Sequence, residues 1–184
     1  SLEEELEKLL DEVRKEVKKN IDENKRLLDK SREEVRKNIK TNEDLLRRIE
    51  EKVRRLLEEV KDKDLLEKIK EMLKRIKELV EESIRRIREV LKRDEELVKK
   101  SIDDIRRVLK RIEDLVEDAK RKIRSEELAE RAKRELKKLE EEIHRISREA
   151  LERSKKTVEE LHEISKRMLD ELKRVDKRLE DETR

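Results

Sequence analysis

Two histidines are the side chains best suited to acid–base or metal chemistry in this sequence. His144 and His162 are 18 residues apart, and histidine titrates near neutral pH. On one helix they would lie about 27 Å apart at 1.5 Å per residue, so they cannot share a metal ion. A pH-sensing role stays open for them. Their position beside an apolar stripe favours boundary residues that support a polar layer.

A serine hydrolase is the second chemistry that the residue types allow. Ser147 follows His144 by three residues, and a carboxylate from another helix would complete a Ser-His-Asp set. Nothing in the sequence supplies a strained nucleophile turn or an oxyanion hole. Asp94 lies in mid-stripe, where buried carboxyl groups sometimes act as acids, but a hydrogen-bonded structural role is favoured. We expect no enzyme activity, catalytic residue, cofactor or metal site.

The composition is that of long helices. The 184 residues include no Gly, Pro, Cys, Trp, Tyr or Phe, and 59% are charged. Sheets and ordinary loops need Gly and Pro for their turns, whereas the Leu, Glu, Lys and Arg that dominate here favour helix. Disorder is the weaker interpretation, because the charges are balanced and the apolar residues are strictly periodic.

Charge and hydropathy argue against nucleic-acid and membrane partners. The net charge is only +3, with acidic and basic residues interleaved, and there are no aromatic rings to stack on bases. No apolar run approaches the roughly 18 residues of a membrane span, and no signal-peptide core is present. We expect a soluble protein with no native compartment, cytoplasmic if expressed in a host cell.

The apolar stripe changes faces twice along the chain. At 100° per residue, the apolar residues of 1–61 fall in one arc about 120° wide. The stripe that starts at Leu65 lies nearly opposite, and the stripe from Leu128 returns to the first side. A continuous helix cannot bury such a pattern. The sequence therefore predicts three helices, over about 2–61, 65–124 and 126–183.

Capping residues place the two breaks without glycine. Asp64 followed by Glu67 is typical of a capping box, as is Ser1 followed by Glu4. Ser125 is predicted to cap the third helix, with acids in the next two positions. Connections this short require antiparallel neighbours.

An 18-residue repeat runs through all three segments. In the second segment, for example, Ile69, Ile87, Ile105 and Ile123 correspond. Eighteen residues make five whole turns, whereas heptads wind left-handed and 11-residue repeats wind right-handed. We predict an all-α fold, a single up-down-up three-helix bundle over 1–184 with long, nearly straight antiparallel helices.

Polar residues interrupt the stripes at positions related by the repeat. After folding at the two turns, partners in helices one and two should have numbers totalling about 125, and partners in helices two and three about 249. Asn24 pairs with Ser101 by this rule, and Ser101 with Ser147. Together with the polar residues beside such partners, three layers are predicted: Asn20, Asn24, Ser101, His144 and Ser147; Ser31, Asp94, Ser154 and Thr157; Asn38, Asn42, Ser83, His162 and Ser165.

Such layers would specify the register of the helices. An unsatisfied buried polar group costs about 1–3 kcal/mol, so a slip that separates the partners is penalised. With its Gly-free turns, Lys/Glu/Arg surface, aliphatic core and repeated Asn/Ser layers, the full chain resembles de novo designed helical bundles with buried hydrogen-bond networks. That resemblance implies a synthetic scaffold or assembly unit without catalytic activity.

Two functional classes follow from the sequence. The first is a structural scaffold with no natural biochemical activity, which needs no partner. The second is an assembly or binding module that works by helix exchange, oligomer formation or a response to pH. Each apolar arc is wide enough for two neighbours, with no second stripe for a partner. This favours a monomer, although self-association stays open.

Overall fold

The chain folds into three long helices that pack against one another. The computed structural model describes residues 1–122 and 124–182, with α1 at Leu2–Glu59, α2 at Lys63–Lys122 and α3 at Glu126–Glu182. No strand occurs in these ranges, and the predicted all-α three-helix fold is confirmed. Ile123 of the repeat and the predicted helix end at 183 lie outside the described residues. The nearly straight course of the helices stays a prediction.

The first turn differs from the sequence prediction by two residues. The Asp64 N–H donates to Asp62 Oδ1 at 3.0 Å, and the Leu66 N–H donates to the Asp62 carbonyl at 3.0 Å. Asp62 therefore caps α2, and the cap predicted at Asp64 is wrong. Starting the helix at Lys63 places Asp64 in its first turn, where the helix dipole favours an acid. Both acids then stabilise the same helix end.

Serine caps begin the other two helices, as the sequence predicts. The Glu4 N–H donates to Ser1 Oγ at 3.4 Å, and the Leu128 N–H donates to Ser125 Oγ at 3.4 Å. The Ala129 N–H donates to the Ser125 carbonyl at 3.2 Å. Since no residue in the described ranges has a positive φ, the turns need no glycine.

The chain packs as two compact units, each containing a segment of all three helices. Unit 1 comprises 1–29 and 94–156. Unit 2 comprises 30–93 and the part of α3 that follows residue 156.

Ion pairs between helices give the chain directions inside unit 1. Glu7 pairs with Lys120, and Arg14 pairs with Glu113 at 2.9 Å. As residue numbers rise along α1, the numbers of their partners on α2 fall, so these two helices are antiparallel.

The core of unit 1 is aliphatic and almost fully buried, with Leu6, Ile105, Ile112 and Ile143 among its members.

Unit 2 is built from the same kind of residues. Its core packs Ile49, Val53, Ile69, Met168 and Leu172, each at most 1% exposed. Burying one such side chain is worth about 1.5–3 kcal/mol, so the aliphatic stripe is the main source of stability in each unit. No helix in the described ranges is long and apolar enough to cross a membrane.

Candidate functional site

A buried asparagine joins α1 to α3 inside unit 1. Asn24 is 1% exposed, and its Nδ2 donates to the Asn20 carbonyl at 2.8 Å and to Ser147 Oγ at 3.3 Å. The first bond fixes which side of the amide carries the nitrogen, because a carbonyl can only accept. The second bond reaches a residue 123 positions later in the chain. One side chain therefore ties its own helix to a neighbour.

Ser101, the third predicted member of this layer, has a different partner. It is buried, and its Oγ accepts a hydrogen bond from Arg153 Nη2 at 2.8 Å. Sequence reasoning missed Arg153, whose long side chain reaches inward from an exposed position, as arginine stems commonly do. Among the described residues, Asn24 Oδ1 and Asn20 Nδ2 are buried without a hydrogen-bond partner. The layer thus contains the hydrogen bonds of Asn24 and, separately, that of Ser101, rather than one closed network.

Unit 2 repeats the asparagine arrangement. Asn42 is 1% exposed, and its Nδ2 donates to the Asn38 carbonyl at 2.8 Å and to Ser165 Oγ at 3.5 Å. The separation along the chain is again 123 residues. Ser83 is half-buried, and His162 is exposed. The structure therefore brings Asn38, Asn42 and Ser165 together and leaves His162 outside this layer.

The carboxylate predicted for the middle layer is buried and hydrogen-bonded. Asp94 and Ser154 are each 1% exposed, and Ser154 Oγ donates to Asp94 Oδ1 at 3.1 Å within unit 1. This hydroxyl contact agrees with the hydrogen-bonded structural role that the sequence favours for Asp94. Ser31 is buried and Thr157 half-buried, both in unit 2. A middle layer of all four residues stays a prediction.

His144 contacts two carboxylates. Its Nε2 lies 3.2 Å from Glu16 Oε1 and 3.9 Å from Glu140 Oε1. Its half-buried position fits a boundary residue, and its support of the Asn24 layer stays a prediction. Glu140 lies one turn earlier on α3, and Glu16 comes from α1. The three residues are half-buried, and one ligand atom from each lies within 4.8 Å of the others; we name them the Glu–Glu–His cluster.

Negative charge is crowded in the Glu–Glu–His cluster. Burial raises the pKa of the Glu140 carboxyl above its usual value, and the charge of Glu16 raises it further. A hydrogen bond with Glu16 and the charge of Glu12 act in the same direction, while His144 lowers this pKa. Two carboxylates and a third nearby therefore face a single imidazole, which carries at most one positive charge.

The cluster escaped sequence reasoning because one member comes from the parallel neighbour. Glu140 and His144 are four residues apart on one helix face, which the sequence shows. Glu16 enters only through the α1–α3 register, whereas the predicted layers came from antiparallel neighbours. That register is visible in other rim contacts, such as Glu5 with Lys133 at a separation of 128 residues.

The buried and rim groups differ in what they can do chemically. The Asn24 and Asn42 amides are enclosed and fix neighbouring helices, whereas the Glu–Glu–His cluster is half-buried and offers nitrogen and oxygen lone pairs to a cation. No family model, curated protein or solved structure matches the chain. The roles proposed below are argued from its own contacts.

Proposed function

We propose that this chain is a structural scaffold of the kind made by de novo design, with no natural biochemical activity. An aliphatic core and buried polar residues specify its fold. The observation that carries the proposal is the same pair of asparagine bonds in both units. In each, the buried amide binds a carbonyl one turn earlier on α1 and a serine of α3 that lies 123 residues later.

These bonds discriminate between helix registers that an aliphatic core alone would leave close in energy. A slip of one turn between α1 and α3 still places Leu, Ile and Val side chains against one another. It also separates Asn24 from Ser147, or Asn42 from Ser165. Leaving a buried polar group unpaired costs about 1–3 kcal/mol. Polar groups used in this way serve a single arrangement of the chain.

The burial pattern also supports a chain that needs no partner. Within the described residues, Leu128 is the one large apolar side chain classed as exposed, at 44%. Scattered single apolar residues are normal on the surface of a monomer. As a scaffold, the protein has no native compartment, and we expect it in the soluble cytoplasmic fraction of an expression host.

Register can be measured directly inside unit 1. The chain has no cysteine, so Lys19→Cys and Arg148→Cys, at exposed positions of α1 and α3, take spin labels at defined sites. Double electron–electron resonance should give one narrow distance for the parent chain. The Asn24→Leu variant should broaden that distribution while retaining helical circular dichroism, because the apolar core remains.

Asn20→Leu is the matched control, since the Asn20 amide nitrogen has no hydrogen-bond partner and its backbone carbonyl is unchanged. It should keep the narrow distance. A narrow distribution in Asn24→Leu would remove the support for register specification. Light scattering should give the monomer mass at every concentration tested, and a mass that rises with concentration would favour an assembly module instead.

A further inference from the structure

Three sets of positions between α1 and α3 are equivalent under the 18-residue repeat. In each set, one residue of α1 corresponds to residues 124 and 128 positions later on α3, as the two bonds of Lys52 show. The sets are Glu16 with Glu140 and His144, Glu34 with Val158 and His162, and Lys52 with Asp176 and Glu180.

The Lys52 set carries its own cation. Lys52 Nζ lies 2.6 Å from Asp176 Oδ1 and 3.1 Å from Glu180 Oε1, so one ammonium group bridges two acids from successive turns of α3. The hydrogen bond that Lys52 donates to Asp176 is the main reason that the pKa of Lys52 is raised. A positive charge at this point between the helices is therefore stabilised by the residues around it.

The Glu16 set occupies the equivalent positions, with the opposite charge on α1. A carboxylate takes the place of the ammonium, and it faces Glu140 and His144 at the two α3 positions. The set holds two acids and no lysine. The set therefore lacks the ammonium group that bridges the two helices inside unit 2.

We propose that Glu16, Glu140 and His144 bind one divalent transition-metal ion such as Zn²⁺. Imidazole nitrogen and carboxylate oxygen are both common zinc ligands, bound at about 2.0–2.2 Å. Ligand atoms around a tetrahedral ion with such bonds are about 3.3 Å apart. In the cluster, His144 Nε2 lies 3.2 Å from Glu16 Oε1 and 3.9 Å from Glu140 Oε1, and all three ligand atoms lie within 4.8 Å of one another, which is close to the tetrahedral spacing.

The ligand set also selects among ions. Ca²⁺ requires six to eight oxygen ligands and Mg²⁺ an octahedral oxygen shell, whereas three protein ligands with one imidazole suit zinc, with water in the fourth position. Glu12 lies close enough to influence Glu140 and adds to the attraction for a cation. In the Glu34 set, Val158 replaces the second carboxylate and His162 is exposed. The chain is therefore expected to bind one ion, not two.

The test is a titration of the full chain with Zn²⁺ against a chromophoric chelator at neutral pH. We expect one ion per chain. His144→Gln and Glu140→Gln should each weaken binding by about 100-fold or more, since even outer-shell partners of metal ligands contribute 10–100-fold. Circular dichroism checks that each variant remains helical, and the visible spectrum of bound Co²⁺ gives a second readout of the ligand set.

His162→Gln is the matched control, because it removes the equivalent histidine from the Glu34 set. It should bind Zn²⁺ as tightly as the parent chain. Failure of the parent chain to compete with the chelator would overturn the proposal. An equal loss of affinity in His162→Gln and His144→Gln would also overturn it, by showing diffuse binding to surface groups.

Discussion

Units 1 and 2 share their buried asparagine bonds and differ at the rim between α1 and α3. Inside unit 2, Lys52 bridges Asp176 and Glu180. At the repeat-equivalent place in unit 1, Glu16 faces Glu140 and His144. The register that brings the side chains together is the same, so residue identity alone decides whether the place is a closed ion pair or a set of metal ligands.

The comparison separates two tasks within one repeat. The core positions of Asn24 and Asn42 are identical in type and bonding in the two units, which is what a register device requires. The rim positions differ in residue type, and ion pairs near the surface contribute little to stability, about 0–1 kcal/mol per pair. Chemistry can therefore be changed at the rim without disturbing the fold.

The largest expected effect comes from making unit 1 resemble unit 2. Glu16→Lys removes a metal ligand and places an ammonium beside Glu140 and His144. Zn²⁺ affinity should fall by about 1,000-fold or more, equivalent to about 4 kcal/mol, while thermal stability stays the same or rises. Calorimetric titration and thermal unfolding measure the two effects. Retention of tight binding would place the ion elsewhere.

The converse change should give unit 2 a metal site. Val158→Glu supplies the missing carboxylate between Glu34 and His162, and we expect the stoichiometry of Zn²⁺ to rise from one to two. The new site should be about tenfold weaker, roughly 1.4 kcal/mol, because Lys30 stands where unit 1 has Glu12. Adding His162→Gln to this variant should restore a stoichiometry of one.

Asp94 distinguishes the cores of the two units. The repeat places Ile76 at the equivalent position in unit 2, where it is 3% exposed. Asp94→Ala should lower the free energy of unfolding by about 1–3 kcal/mol, because it leaves a void beside the Ser154 hydroxyl. Asp94→Ile should be more stable than Asp94→Ala and at least as stable as the parent chain. Urea denaturation ranks the three proteins, and a variant order with Ala above Ile would contradict the burial of this residue.

The serine partners of the two asparagines should contribute equally to the free energy of unfolding. Ser147→Ala and Ser165→Ala each remove one acceptor, while the amide nitrogen keeps its bond to a carbonyl of α1. Each should lower the free energy of unfolding by about 1 kcal/mol, with the two values within about 0.5 kcal/mol of each other. Chemical denaturation of both variants measures the difference. A loss of stability in only one of the two variants would show that the equivalent hydrogen bonds do not contribute equally in the two units.

The smallest expected effect is a pH dependence that Lys52 gives to unit 2. Since the folded-state pKa of Lys52 is raised above 10.5, its bridge stabilises the fold below pH 10.5 and is lost as the pH rises through the raised value. The stability difference between the parent chain and Lys52→Met should therefore shrink at alkaline pH, by at most about 1 kcal/mol. The matching difference for Ser165→Ala should stay constant there, because the serine hydroxyl is not among the ionisable side chains of this pH range.

Periodicity and capping were sufficient to predict the helices, but not the partners of individual side chains. The switch in apolar face required two breaks, and Ser125 marked the second. At the first break, two aspartates were both competent caps, and Asp62 rather than Asp64 accepts the bonds. Which aspartate caps the helix depends on the exact residue at which the helical backbone begins, and the angular positions of the apolar residues do not resolve this.

The polar positions show the same limit. Helical phase placed Asn24 and Ser147 at one level, and these side chains bond. The angular position of a residue on its helix does not show how far its side chain extends, so the bond from Arg153 to Ser101 was not predicted. The contact of Glu16 with His144 was not predicted, because only residues of antiparallel helices were matched and α1 is parallel to α3. The shared face of Glu140 and His144 is visible in the sequence.

Because 18 residues are five whole helical turns, the repeat makes helix length an adjustable quantity. Inserting one repeat in each of α1, α2 and α3 adds about 27 Å of helix at 1.5 Å per residue and returns every side chain to its former face. The pairing of Glu16 with His144, and of Lys52 with Glu180, can be kept or reset by where the inserts are placed in α1 and α3. The helices can thus be lengthened in steps of five turns, and the charged residues of each step can be chosen independently of those in the others.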